Sequence, residues 1–299
     1  MSNIVELKNI RKVYLKTAAV DDVSFVVPAQ SIFGMLGPNG SGKTTTIRMI
    51  TSIIMPDSGQ VLFGNEMLKR NHTALMGYMP EERGLYKKMK VWEQLVYLAQ
   101  LKGLKSADAK KKVFDWLERL QIKDWWNKKV EELSKGMGQK IQFVSTVVHD
   151  PKLIILDEPF SGLDPVNAEL IKNEIMRLRN EGATIIFSTH RMEQVEEICE
   201  SIVLYNKGKV ILEGKVDEVR KRFRPHNFSV KYEGTAPVIT DARFSIVNQH
   251  DHELVIKIAD TAQPKDLMRT LVDQNCNVIS FNEILPSLNE IFIQQVTAQ

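Results

Sequence analysis

The sequence predicts an α/β fold: a sheet of buried strands around a phosphate-binding loop, with an antiparallel β subdomain, an inserted helical subdomain and a small α+β domain at the C-terminal end. Three observations carry that prediction. The octapeptide Gly37–Thr44, GPNGSGKT, stands between the apolar run Ser31–Leu36 and a segment, Thr45–Ile50, whose apolar residues fall three and four apart, which reads as strand, turn and helix. Two more apolar runs, Lys152–Leu156 and Ala183–Ser188, end in Asp157-Glu158 and Thr189-His190. Strands buried on both faces put such polar ends at the carboxyl edge of a sheet, where ligands bind. From about Val91 to Val148 the spacing turns helical, with Trp92, Leu95, Leu98 and Leu101 in one stretch and Val113, Trp116, Leu117 and Leu120 in the next.

Composition places the chain among ordinary globular proteins. It has 299 residues, 43% of them hydrophobic and 26% charged, and that length suits one large domain with a smaller appendage. Forty basic against 37 acidic residues leave a net charge of +3, too small and too dispersed to point to nucleic acid. Cys199 and Cys276 lie far apart in contexts that read as buried, with no metal-ligand spacing, and a reducing compartment fits. The N-terminus lacks a secretory apolar core, and no segment approaches the roughly 18 apolar residues of a membrane span. Any service to a membrane would run through a partner.

Ile4–Lys8 and Val20–Val27 alternate as strands of a small antiparallel sheet. Tyr14 lies between them, either packed in the core or stacked on a nucleotide base. In the octapeptide, Gly37, Gly40 and Gly42 permit positive φ and leave no Cβ in the way, so consecutive N–H groups converge on an anion at the positive end of the following helix. Lys43 reaches the β- and γ-phosphates, and the Thr44 hydroxyl suits the accompanying Mg²⁺. A short strand, Gln60–Phe63, follows the turn Pro56–Gly59, and a buried strand, Met76–Met79, ends at the turn Pro80–Gly84. The Lys110–Lys112 run reads as a solvated face of the helical subdomain and the Trp125-Trp126 pair as its core anchor.

Glu132–Gln142, ELSKGMGQKIQ, opens a helix with Ser134 as its cap and gives a second place where N–H groups and a hydroxyl can meet phosphate. Asp157 suits Mg²⁺ held through water. Glu158 is a candidate base for the attacking water, unless the two carboxylates merely cap the next turn. Ser161–Asp164 makes a tight turn and Pro165 starts a helix to about Asn180. His190, at the end of another buried strand, lies beside the phosphates.

These motifs together resemble the ATP-binding subunit of an ABC transporter, a P-loop NTPase, over roughly residues 1 to 220. The family's ordered motifs match Gly37–Thr44 (Walker A), Glu81 (glutamine loop), Leu133–Met137 (signature), Leu153–Glu158 (Walker B), Ser161–Asp164 and the switch histidine His190. The resemblance implies that Tyr14 stacks on adenine and that Gly37, Pro38, Asn39, Gly40, Ser41, Gly42, Lys43, Thr44 and Thr45 bind ATP. It further implies that Thr44, Asp157 and Glu81 serve Mg²⁺, and that Glu158, His190 and Lys43 act in hydrolysis. Two positions depart from the pattern: Glu81, with Glu82 as an adjacent contender, replaces the glutamine, and LSKGM keeps Ser134 and Gly136 but carries Lys135 and Met137. Lys135 either adds positive charge near the opposite subunit's γ-phosphate or projects into solvent.

Such variants resemble the export branch that serves sodium or drug efflux. Family membership implies a head-to-tail ATPase dimer, homo- or heteromeric, in which Ser134 and Gly136 of one subunit close on the nucleotide of the other. It also implies separate transmembrane permease subunits and a cytoplasmic, membrane-peripheral location. The expected organisation is a nucleotide-binding domain over residues 1–224, with its helical subdomain at about 86–150, and an accessory domain over 225–299. In the latter, Phe228–Tyr232, Leu254–Ile258 and Val278–Phe281 read as strands, Pro264–Val272 and Ser287–Val296 as helices, and His250 and His252 as a solvated loop. The alternatives are a soluble ABC-type ATPase acting on ribosomes or DNA, disfavoured by a single cassette without a long heptad stretch, and a regulatory nucleotide-binding module, disfavoured by Glu158 and His190.

Overall fold

A computed structural model describes residues 2–82 and 84–297, so Arg83 of the Pro80–Gly84 turn lies outside the described residues. Contacts divide the chain into two units, one through Val216 and one from Asp217, eight residues ahead of the boundary expected at Arg224.

The first unit contains two sheets and a helical insertion. β1 (Asn3–Tyr14), β2 (Thr17–Pro28), β4 (Ser58–Phe63) and β5 (Glu66–Met67) form an antiparallel sheet in the order β2-β1-β4-β5. The larger sheet, built from β3 (Ile32–Leu36), β6 (Met76–Met79), β7 (Leu153–Asp157), β8 (Thr184–Thr189), β9 (Ser201–Asn206) and β10 (Lys209–Lys215), runs β10-β9-β3-β8-β7-β6. Its pairs are parallel except β9 with β10. Every residue of β3, β7 and β8 is buried, which explains their unbroken apolar runs. The hairpin β9–β10 was not foreseen; Lys207-Gly208 forms its turn, with positive φ at both residues.

Register sets the site. Leu36 pairs with Thr189, Asp157 with Ser188, and Met79 with Leu156, so the chain leaves four strands along one carboxyl edge. Gly37, Glu81, Glu158 and His190 thereby meet from distant parts of the sequence. The two sheets share a core in which Val5, Leu7 and Phe25 meet Phe33, Met35, Ile47, Ile155 and Tyr205, and the Phe25 and Phe33 rings stack with centroids 5.4 Å apart.

The helix α1 (Lys43–Ile50) follows the glycine loop, and α2 (Val91–Leu101), α3 (Ser106–Arg119) and α4 (Lys135–Val147) intervene between β6 and β7. Leu95, Val113, Trp116, Leu117, Phe143 and Val144 form the interior of that insertion. Two expectations fail there. Leu101 is 65% exposed, although its spacing put it on the buried stripe. Trp125 and Trp126 are only half-buried; Trp126 stacks on Trp92 at 5.9 Å as a surface clamp instead of a core anchor. The unit continues with α5 (Pro165–Asn180), whose cap Asp164 accepts from the Asn167 N–H, and α6 (Met192–Ile198).

The second unit comprises most of α7 (Val216–Arg222), then β11 (Asn227–Glu233), β12 (Phe244–His250), β13 (Glu253–Ile258), α8 (Pro264–Asp273), β14 (Asn277–Ile284) and α9 (Leu288–Thr297). Its antiparallel sheet has the order β12-β13-β11-β14, and Leu267 and Leu271 of α8 pack on Phe228, Val230 and Ile256. β12 escaped the sequence reading because only its first residue is buried, so it lacks the alternation that marks a half-buried strand. His250 belongs to that strand instead of a loop. Both cysteines are free thiols, Cys199 buried and Cys276 half-buried.

Candidate functional site

The glycines of the loop are required by backbone angle, and Gly37 and Gly42 by space as well. Gly37, Gly40 and Gly42 have φ of 142°, 77° and 110°. A Cβ at Gly37 would stand 2.4 Å from the Tyr205 carbonyl oxygen, and one at Gly42 2.5 Å from that of Ala19. The β9–β10 turn braces the same loop, since Gly208 donates its N–H to the Ser41 carbonyl at 2.9 Å.

Inside this frame, Ser41 Oγ is buried without a hydrogen-bond partner, an orphan group that a phosphate oxygen arriving in the loop would satisfy. Lys43 is 7% exposed and donates to the Gly37 and Pro38 carbonyls at 2.6 and 3.1 Å. Burial pulls its ammonium below the usual lysine range, while Asp157, Glu158 and Glu81 oppose that shift. A cation held under a ring of N–H groups, with carboxylates beyond it, is a site built for a polyphosphate and its metal.

The Thr44 hydroxyl donates to Asp157 Oδ2 at 3.3 Å. Asp157 is 3% exposed, and its carboxyl is raised above the ordinary range mainly by burial, with hydroxyls of Ser188 and Thr44 working against that. A hard divalent cation takes oxygen ligands of this kind and would offset the desolvation of Asp157, so the donor set fits Mg²⁺.

Glu158 sits at φ 52°, a left-handed conformation uncommon for a side-chain-bearing residue. Its N–H donates to the Ser188 carbonyl at 2.9 Å. Its carboxylate accepts from the His190 N–H at 2.8 Å and the Thr189 hydroxyl at 3.0 Å, and Oε1 lies 2.6 Å from His190 Nδ1. His190, half-exposed, is therefore tied directly to the carboxylate expected to serve as base.

Tyr14, Ala19, Asn39, Gly40, Ser41, Gly42, Lys43, Thr44, Thr45, Glu81, Asp157 and Glu158 enclose a cleft of about 470 Å³. Tyr14 is 46% exposed at the end of β1, so it presents its ring to the cleft instead of packing in the core. Of the two glutamates after β6, only Glu81 walls the cleft; both line an adjoining depression with Lys135, Gln139 and Ser161. Ser134, Gly136 and His190 are not among the residues lining the cleft. Ser134 caps α4, taking the Met137 N–H at 3.3 Å, and is itself exposed. Lys135 lays its stem along Gly162, where a Cβ would meet Lys135 Cδ at 2.9 Å. Ala19 and Gln139 were missed in the sequence, each ordinary in its local context, and Thr189 was marked only as the polar end of its strand, not as a partner of Glu158.

Comparison with known proteins agrees with this geometry. Residues 20–161 match the family model "ABC transporter", and residues 214–296 match that of the "ATP-binding protein DrrA1-3-like, C-terminal domain". The uncharacterized ABC transporter ATP-binding protein YhaQ of Bacillus subtilis (strain 168) is 42% identical over 305 residues, covering 99% of each chain. The chain belongs to the ATP-binding subunits of ABC transporters. Also similar is the linearmycin resistance ATP-binding protein LnrL of the same organism, 29% identical over 302 residues with 97% of each chain covered. A solved ATP-binding subunit of an ABC transporter superposes with a TM-score of 0.69 at 30% identity, covering 74% of this chain and 93% of that one. As an ABC ATP-binding subunit, the protein binds and hydrolyses ATP to energise transport through separate transmembrane permease subunits. In keeping with that division of labour, no helix among the described residues is long and apolar enough to cross a membrane.

Proposed function

We propose that the chain is one half of a head-to-tail ATPase dimer, held on the cytoplasmic face of the membrane by its permeases and driving export. The observation that carries the dimer is the exposure of Ser134 at the N-terminus of α4, outside the cleft of its own chain. A capped helix N-terminus with free N–H groups suits a phosphate and so can serve as a lid on another chain's cleft. A second copy would supply that lid. The similarity to a linearmycin resistance subunit supports export.

Within the cleft, Tyr14 stacks on the adenine, the Gly37–Thr44 loop with Thr45 wraps the phosphates, and Lys43 exchanges its two carbonyl partners for phosphate oxygens. Thr44, Asp157 and Glu81 would hold Mg²⁺, which when bound neutralises charge on the phosphates. Glu158 orients the attacking water and accepts its proton, and His190 keeps the carboxylate aligned. Lys43, His190 and the second subunit's Ser134 stabilise charge on the transferred phosphoryl.

Permease contact falls to a groove of about 380 Å³ beside the cleft, where Ala74, Tyr78, Leu85, Leu98 and Leu101 line one opening. Docking there gives the exposed Leu101 an apolar partner. The nucleotide-binding and C-terminal units act as separate domains in this scheme. Gel filtration with ATP and Mg²⁺ tests the dimer: Glu158→Gln is expected to run at twice the monomer mass, and a monomeric elution would refute it.

A further inference from the structure

Helix α4 touches the active site from behind through two buried amides. Gln139, 3% exposed, donates through Nε2 to the carbonyl of Pro159 at 3.0 Å and to that of Glu158 at 3.3 Å. Three residues on, Gln142, also 3% exposed, donates to the Pro80 carbonyl at 2.7 Å. Each accepting carbonyl adjoins a carboxylate that walls the cleft, Glu158 in the first case and Glu81 in the second. Residues three apart share one face of a helix, so a single face of α4 braces both carboxylate-bearing segments.

The Glu158 peptide needs such a brace. Its residue holds a left-handed φ of 52°, and Pro159, which follows, has no N–H to anchor the turn. The Glu158 N–H is already spent on Ser188, and its carboxylate is held by Thr189 and His190. The Glu158 carbonyl takes the Ser161 N–H at 3.1 Å across the turn, and Gln139 adds a second hold on it while also binding the next carbonyl, that of Pro159. Gln139 does so from the helix whose cap, Ser134, lies five residues upstream and outside the lining of the chain's own cleft.

We propose that Gln139 is a positioning residue for Glu158, and that α4 thereby links the base of one ATP site to the Ser134 segment that closes the other. The link between sites rests on the head-to-tail dimer proposed above. Gln139 touches neither substrate nor metal; it holds the Pro159 carbonyl and, together with the Ser161 N–H, the Glu158 carbonyl, and with them the direction of the carboxylate. A shift of α4 when Ser134 engages the second subunit's nucleotide then moves Gln139 and Glu158 together.

The test uses the full chain with its permeases. Gln139→Met keeps length and volume but removes both donors. Its kcat is expected to fall tenfold or more, with KM and the affinity for a fluorescent ATP analogue within twofold of the parent. Val144→Ala, a buried apolar change on the same helix, is expected to lower the thermal midpoint at least as far while leaving kcat within twofold. In a Glu158→Gln background, Gln139→Met is expected to cost nothing further. A Gln139→Met kcat within twofold of the parent, a matching kcat loss in Val144→Ala, or a full additional loss on Glu158→Gln would each overturn the proposal. A parent that turns over ATP and a Glu158→Gln variant that dimerises, beside an unimpaired Gln139→Met, would sink the positioning role alone. Absence of dimerisation would sink the dimer and the link between sites with it.

Discussion

Two helix N-termini of this protein carry the phosphate contacts proposed above, and they are built differently. The loop before α1 is sunk between two sheets: Gly37 and Gly42 have no room for a Cβ, Lys43 is buried, and Ser41 Oγ waits without a partner. Ser134, before α4, is exposed, and its hydroxyl is satisfied by its own helix. A site that must bind nucleotide within one chain needs its orphan groups preformed and desolvated; a lid that closes only against a second chain must stay solvated and self-capped until then. The contrast separates binding from closure.

The largest effect expected is on turnover. Glu158→Gln should lower kcat by roughly 10²- to 10⁴-fold, the range for a lost general base, while ATP binding persists, as single-turnover assays with equilibrium binding can check. Lys43→Ala acts on the buried member of the pair. Loss of its charge-assisted hydrogen bonds should weaken ATP binding by about 10- to 100-fold, read by titration of a fluorescent analogue. Ser134→Ala acts on the exposed member, and should cut kcat by about tenfold and destabilise α4 by about 1 kcal/mol, with ATP binding to the single chain unchanged. Equal loss of binding in the Lys43 and Ser134 variants would erase the distinction between the two termini.

The last effect is on stability instead of turnover, and concerns how α4 is anchored at its far end. His149 Nε2 lies 3.2 Å from the Met76 carbonyl of β6, and burial, with Lys102 nearby, holds the imidazole down to about 4 from 6.5. A depressed folded pKa means that the unfolded chain takes the proton first as pH falls. The contribution is therefore complete above pH about 6.5 and is lost towards 4, about 2 kcal/mol of it between pH 7.5 and 5. His149→Asn should flatten that part of the pH dependence in urea unfolding.

How much of this was legible in the sequence depended on range. Gly37–Thr44 was readable because its chemistry is packed into eight consecutive residues, and Asp157 because an apolar strand announces its own polar end. Tyr14 was readable as an aromatic but not as a wall of the cleft, because only its 46% exposure separates stacking from packing. Leu101 and the Trp125-Trp126 pair misled, since periodicity gives the face of a helix but not whether that face is covered. Gln139 carried no signal at all: a glutamine inside a helix is ordinary until its amide is found on two carbonyls 19 and 20 residues away.

The sequence by itself determined the phosphate loop, the buried parallel strands, the helical insertion and the membership in a family of transport ATPases, because each is written in short-range spacing and residue type. Only the tertiary structure decided which glutamate walls the cleft, that His190 grips Glu158, that Ser134 lies outside its own site and that Gln139 braces the Glu158 turn. Those are relations between segments many residues apart, and they are fixed by strand register and packing, which no local pattern encodes.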